Sequence, residues 1–293
     1  MPWIQLQIPA DPDNADQLED LLMEMGSDAV SMEDAADQPL YEPDPGTTPL
    51  WSQTTVTGLF DSDRDIEQLC ADVRNAWHQQ TQQALPEIEV TLVEDKDWER
   101  AWMDDFQPLK FGERLWIVPS WHEAPDPDAA NLMLDPGLAF GTGTHPTTAL
   151  CLEWLDGQDV QGKQVIDYGC GSGILGLAAL LLGANLVIGV DTDPQALEAS
   201  RENARRNGVD DSKLALYLPE DEPDKQADVM LANILAQPLI GLAPHLASRT
   251  RPGGDLVLSG ILSNQVREVV AAYEPWFVMD EPEQREEWIR LTG

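Results

Sequence analysis

Seven residues, Asp167-Tyr168-Gly169-Cys170-Gly171-Ser172-Gly173, follow directly on the apolar pair Val165-Ile166 and lead directly into Ile174-Leu175-Gly176-Leu177-Ala178. Alternate glycines let a backbone take up positive φ and pass close to a ligand, and a helix starting near Ile174 turns its free N–H groups to the same point. Strand, glycine turn and helix in that order open a βαβ unit, which commits this part of the chain to a parallel sheet. The flanking pattern agrees. Gln164 to Asp167, Leu186 to Asp191, Leu214 to Leu218, Asp228 to Asn233 and Asp255 to Gly260 read as apolar strands. Helical patterns over Ile174 to Gly183, Pro194 to Asn207, Leu239 to Ser248 and Asn264 to Tyr273 separate them, so helices cover both faces of the sheet. Phe277 to Asp280 and Trp288 to Thr292 read as a closing hairpin with an antiparallel last strand.

The glycine loop does not by itself name its ligand. Gly171-Ser172-Gly173-Ile174-Leu175-Gly176 satisfies the dinucleotide fingerprint, and Asp191 ends the next strand about 20 residues on, so a nicotinamide dehydrogenase is one reading. A strand-turn-helix with no ligand is a second. Asp167 favours a third, because a carboxylate repels a pyrophosphate but suits the ammonium group of S-adenosyl-L-methionine, which carries no phosphate. Asp167, Gly169, Gly171 and Gly173 are therefore candidate cofactor-binding residues, and Asp191 is placed to accept the ribose hydroxyls in either ligand reading.

Two further stretches carry chemistry. Asn233-Ile234-Leu235-Ala236 puts a neutral amide at the carboxyl edge of the sheet, where it either accepts hydrogen bonds from an amine and aims its lone pair, or caps the following helix. Leu134 to Thr148 is a shaped loop with three glycines and two prolines. Thr147 or Thr148 is expected to cap the helix Ala149 to Leu155, and the loop to act as a lid that brings hydroxyls and His145, a candidate general base, towards the reacting centre. His78, His122 and His245 have no ligand spacing around them, so no metal is expected.

Charge and composition bound the rest. The 293 residues hold 53 Asp/Glu against 17 Lys/Arg, net −36, which disfavours direct nucleic-acid binding, while 42% hydrophobic residues and ten Trp belong to a folded chain. Cys70, Cys151 and Cys170 form no framework, and neither a signal peptide nor a membrane span is legible, so a cytoplasmic monomer is expected. Residues 1–63 carry 14 acids and no Lys/Arg. Their strands and helices, continued to Val93, read as a small βαββαβ, ferredoxin-like α+β domain. Residues 94–125, with Trp98, Trp102, Trp116 and Trp121, read as an ordered connector, and 126–293 as the α/β domain. An acidic binding protein without catalysis remains a rival at this point.

The chain resembles the ribosomal protein L eleven methyltransferases, a bacterial family, along nearly its whole length. The resemblance rests on Met1-Pro2-Trp3-Ile4-Gln5-Leu6, Glu94-Asp95-Lys96-Asp97-Trp98-Glu99-Arg100, the lid from Leu134 to Thr148, the glycine loop, Asp191 and Asn233-Ile234-Leu235-Ala236. It implies a Rossmann-like, seven-stranded class I methyltransferase domain that uses S-adenosyl-L-methionine to trimethylate lysine side chains and the N-terminal α-amine of that ribosomal protein. It also implies substrate recognition by the N-terminal domain, and Thr148, Gly169, Asp191 and Asn233 as cofactor-binding positions, with Asn233 catalytic as well. Asn233-Ile234-Leu235-Ala236 lacks the prolines and aromatic of the Asn-Pro-Pro-Tyr pattern of other amine methyltransferases, which implies a roomier acceptor pocket suited to repeated methylation.

Overall fold

The computed structural model describes residues 2–36, 50–93, 106–135 and 143–293. The chain divides into two compact units, Met1–Asp104 and Asp105–Gly293.

The first unit runs β1 (Trp3–Ala10), α1 (Ala15–Glu24), β2 (Ala29–Asp34), β3 (Thr54–Asp61), α2 (Ile66–Thr81), β4 (Glu89–Val93). Its sheet has the order β2-β3-β1-β4 with every pairing antiparallel, a ferredoxin-like arrangement. Alternation along β1 turns Ile4, Leu6 and Ile8 to one face. There they meet Leu18, Leu21 and Leu22 of α1 and Leu69, Val73 and Trp77 of α2, residues spaced three and four apart so that each helix buries one stripe. Asp65 fixes the start of α2 by accepting from Gln68 N–H at 2.9 Å.

The second unit opens with a three-stranded sheet, β5 (Leu109–Phe111), β6 (Leu115–Val118) and β7 (Ala130–Met133). The main sheet holds β8 (Gln164–Tyr168), β9 (Leu186–Val190), β10 (Leu214–Tyr217), β11 (Ala227–Asn233), β12 (Thr250–Leu262), β13 (Glu283–Arg285) and β14 (Trp288–Thr292) in the order β10-β9-β8-β11-β12-β14-β13. β8 to β12 are parallel and β14 is antiparallel to both its neighbours. The helices are α3 (Pro146–Gly157), α4 (Ile174–Leu181), α5 (Pro194–Arg206), α6 (Ala236–Arg249) and α7 (Val266–Tyr273). One core layer joins Val165, Val229 and Val257 of the sheet to Leu152, Leu155, Leu175 and Leu177. The other joins Ile166, Ile188 and Met230 to Leu239, Leu246, Val269 and Tyr273. Strand order reverses direction between β8 and β11, so the crevice at their carboxyl ends is the switch point where such sheets bind ligands.

Two local expectations are revised. The hairpin partner of β14 is Glu283–Arg285, not Phe277 to Asp280. Phe277 and Met279 pack instead on the core beside α7, and the charged Glu283-Gln284-Arg285 makes a short outer edge, which polar residues tolerate. In the stretch read as a connector, 94–105, with Glu94 to Arg100, Trp98 and Trp102, lies outside the described residues. Residues 109–118 beyond it are built into the second unit, where Phe111, Leu115 and Ile117 pack against Leu132 and Leu152. Among the described residues no helix is long and apolar enough to cross a membrane, and the three cysteines are free and buried.

A buried carboxylate secures the β5–β6 hairpin. Asp156, 6% exposed near the end of α3, accepts from Glu113 N–H at 2.7 Å and Arg114 N–H at 2.9 Å across the β5–β6 turn. Asp156→Ala leaves both amides without an acceptor and is expected to lower the urea-unfolding free energy by about 2 kcal/mol.

Candidate active site

The glycine loop is shaped from below by its neighbours. Gly169, Gly171 and Gly173 have φ of 77°, 54° and 80°. A Cβ at Gly169 would lie 2.3 Å from Ile234 Cγ2, and one at Gly173 2.8 Å from Ser200 Oγ, so neither place admits a side chain. Gly169 N–H and Cys170 N–H both donate to Val190 O, at 2.7 and 3.0 Å. Asp191 Oδ2 accepts from Gly171 N–H at 2.8 Å, and its Oδ1 accepts from Asp193 N–H at 3.0 Å. From α5, Ser200 Oγ donates to Gly171 O at 2.8 Å and Asn203 Nδ2 to Ser172 O at 2.9 Å. Sequence reasoning missed Ser200 and Asn203. Their signal was polar residues three apart on one face of the helix that follows Asp191.

Asp167 lies beneath the loop, 1% exposed, with Oδ2 accepting from Gly176 N–H at 2.9 Å in the first turn of α4. Burial pushes its carboxyl up to about 7; the Gly176 N–H opposes that rise and the charge of Asp191 adds to it. The two acids thus divide the work, Asp191 gripping the loop and Asp167 the helix behind it.

Across the switch point, Asn233 ends β11 and its Nδ2 donates to Thr148 Oγ1 at 3.3 Å. Thr148 is buried in the first turns of α3. Asn233 does not cap α6, whose cap position is Leu235, with no side-chain capping bond. Ile234 is lodged between two glycines: besides the approach at Gly169, a Cβ at Gly260 would come 2.3 Å from Ile234 O. That lodging fixes the turn that presents Asn233.

Neither Thr147 nor Thr148 caps α3. The helix starts at Pro146, and the cap is His145, whose Nδ1 accepts from Thr147 N–H at 3.3 Å and lies 2.8 Å from Thr147 Oγ1. Proline at the first helical position, which needs no N–H donor, moves the start forward from the threonines. The His145 ring stands edge-on to Trp288 with centroids 5.0 Å apart. Burial lowers its pKa, opposed by Glu287 and Glu286. Nδ1 accepting from the backbone amide makes His145 the helix cap and puts the neutral ring's proton on Nε2. Residues 136–142 of the lid lie outside the described residues. Among the described residues no group of three or more His, Cys, Asp or Glu is placed to hold a metal.

The donor set fits a sulfonium nucleoside better than a pyrophosphate. Loop residues 169–173 hold no Lys or Arg, and the carboxylate of Asp191 is bonded directly to the loop at Gly171 N–H, so a pyrophosphate would meet negative charge with no counter-charge. This site, at the switch point of a seven-stranded sheet with one antiparallel strand next to its edge, defines a class I methyltransferase. The profile described as "Ribosomal protein L11 methyltransferase" matches residues 2–293, and the chain belongs to that family. It is 87% identical over 293 residues to the "Ribosomal protein L11 methyltransferase" of Marinobacter nauticus, covering 100% of this chain and 98% of that protein. It is 59% identical to the protein of that name from Pseudomonas putida, covering 100% of this chain and 99% of that one. A crystal structure titled as the ribosomal protein L11 methylase of Lactobacillus delbrueckii subsp. bulgaricus superposes with TM-score 0.58 at 35% identity, over 64% of this chain and 97% of that one. The dehydrogenase reading is thereby displaced.

Asp167 makes stability depend on pH. The folded chain holds this proton up to about pH 7 and the unfolded chain only to about 3.8, so the contribution is full below the lower value and is lost as pH rises through the upper one. Asp167→Asn keeps an acceptor for Gly176 N–H without the charge. Its melting temperature is expected to exceed that of the unsubstituted chain at about pH 8 and to match it at about pH 4.

Proposed function

We propose that the chain transfers methyl groups from S-adenosyl-L-methionine to lysine side-chain amines and the N-terminal α-amine of ribosomal protein L11, taking each nitrogen to the trimethylated state. The observation that carries this reading is the Asn233 amide at the switch point, tied to Thr148 and freed from helix capping. When bound, the donor supplies an electrophilic methyl carbon on sulfur. Asp191 accepts the ribose hydroxyls, Gly169, Gly171 and Gly173 let the backbone lie against the cofactor, and Asp167, buried beneath the loop, acts from behind by holding the first turn of α4 through Gly176 N–H. Thr148 takes the N–H side of the Asn233 amide, which leaves Oδ1 to accept from the acceptor amine and aim its lone pair; orientation of this kind contributes up to ~7–11 kcal/mol. His145 sets the start of α3 and with it the position of Thr148.

In this reading residues 1–93 dock the basic substrate and the unit from Asp105 to Gly293 transfers the methyl group, in a cytoplasmic monomer. The cation-free stretch 1–63 gives the first unit a field that attracts a lysine-rich partner. Incubation with labelled donor and purified ribosomal protein L11 is expected to label that protein, with mass spectrometry finding three methyl groups per modified nitrogen. Label confined to single methyl groups would overturn the roomy-pocket argument, and no label would overturn the substrate.

The two site residues are expected to separate kinetically. Asp191→Ala should weaken donor binding in calorimetry by roughly tenfold or more, because ribose acceptors act in ground state and transition state alike. Asn233→Ala should lower kcat about 100-fold while donor affinity changes less than about threefold; equal losses of both would make Asn233 a structural residue.

A further inference from the structure

Glu222 follows the 3-10 turn Pro219–Asp221 in the connection from β10 to β11, and its side chain is 2% exposed. A carboxylate taken out of water needs partners, and two residues four apart on α6 supply them. His245 Nε2 lies 2.7 Å from Glu222 Oε2, and Arg249 Nε 3.5 Å from its Oε1. Arg249 also pairs with Asp224 of the same connection. The contacts run on towards the cofactor loop. The His245 ring stands edge-on to Tyr168, with centroids 5.6 Å apart, and Tyr168 is the residue before Gly169. At its other end the connection starts from Tyr217, whose carbonyl accepts from Asp191 N–H at 3.2 Å.

β10 is the outermost strand, half-buried at all four residues and hydrogen-bonded to β9 alone. The sheet only weakly restrains a connection leaving such an edge strand, so the position of that connection falls to side-chain ties. We propose that Glu222 is a positioning residue for the nucleoside half of the methyl donor. Through His245 and Arg249 it fixes the connection after β10 against α6 and Tyr168, and so holds in place the wall next to Asp191. Preorganising that wall raises affinity by removing the cost of ordering it on binding. The inference rests on the ribose being held at Asp191.

The test uses the full chain with S-adenosylhomocysteine and 5′-methylthioadenosine as probes, the second containing only the nucleoside half. Glu222→Ala is expected to raise both dissociation constants about tenfold, with kcat at saturating donor within about twofold and KM for the protein substrate unchanged. Glu222→Gln, which still accepts from His245, is expected to recover most of the affinity. His245→Ala should act like Glu222→Ala, and because the His245 side chain is 34% exposed its truncation spares the core. Unchanged binding of both probes in Glu222→Ala, with Asp191→Ala still losing them, overturns the tie alone. Unchanged binding in Asp191→Ala removes the ribose placement and the tie with it.

Discussion

The bond from Gly171 N–H to the Asp191 carboxylate sets where the glycine loop lies, and the site is arranged around that loop. The end of β9 and the residue after it receive three loop amides, since Val190 O takes those of Gly169 and Cys170 and Asp191 takes that of Gly171. The loop's shape is therefore inherited from the neighbouring strand. Left-handed φ at three alternate positions is the condition for it, and Gly169 has a second duty, leaving the gap that Ile234 enters. Because Ile234 is also pinned by Gly260, the turn presenting Asn233 is referenced to the glycine loop. The glycine loop and the turn carrying Asn233 are thus coupled through packed contacts of buried neighbours.

What was legible in the sequence was whatever a local rule decides. Apolar period and punctuation placed the βαββαβ unit and the alternation from β8 to β12, because each strand and helix buries a face whose spacing is visible within a few residues. The loop, Asp191 and Asn233 were visible for the same reason. Where two local rules competed, a further residue in contact chose between them. Asn233 has the chemistry of a cap, but Thr148, 85 residues away, takes its amide, and α6 begins only at Ala236. Thr147 and Thr148 also look like caps, yet Pro146 pulls the helix start forward and His145 takes the role. Glu283–Arg285 shows no strand pattern at all; it pairs because β14 offers an edge and the more apolar Phe277 and Met279 are drawn into the core. Ser200 and Asn203 were invisible because their partners are loop carbonyls, and nothing in a sequence says which carbonyl a polar side chain will find.

The acidity reads differently once the cations are placed. In the second unit Lys163, Arg201, Arg206, Arg249, Arg251, Arg285 and Arg290 each lie within 3.5 Å of a carboxylate, so most of the bases there are taken up in pairs that leave the acid excess standing. In the first unit the exposed Arg64 donates to Met25 O at 2.8 Å, with its guanidinium 5.3 Å from the Phe60 ring centroid. That bond to a neutral carbonyl leaves the Arg64 charge in place, one cation following a stretch of 14 acids. Adaptation to high salt and attraction of a basic substrate make opposite demands on such a field. The screening length is about 8 Å at physiological ionic strength and about 3 Å at 1 M, so a charge density retained for solubility in brine steers little there. Steering belongs to dilute salt, and at high salt an acidic stretch of this kind exerts only short-range forces on whatever approaches it.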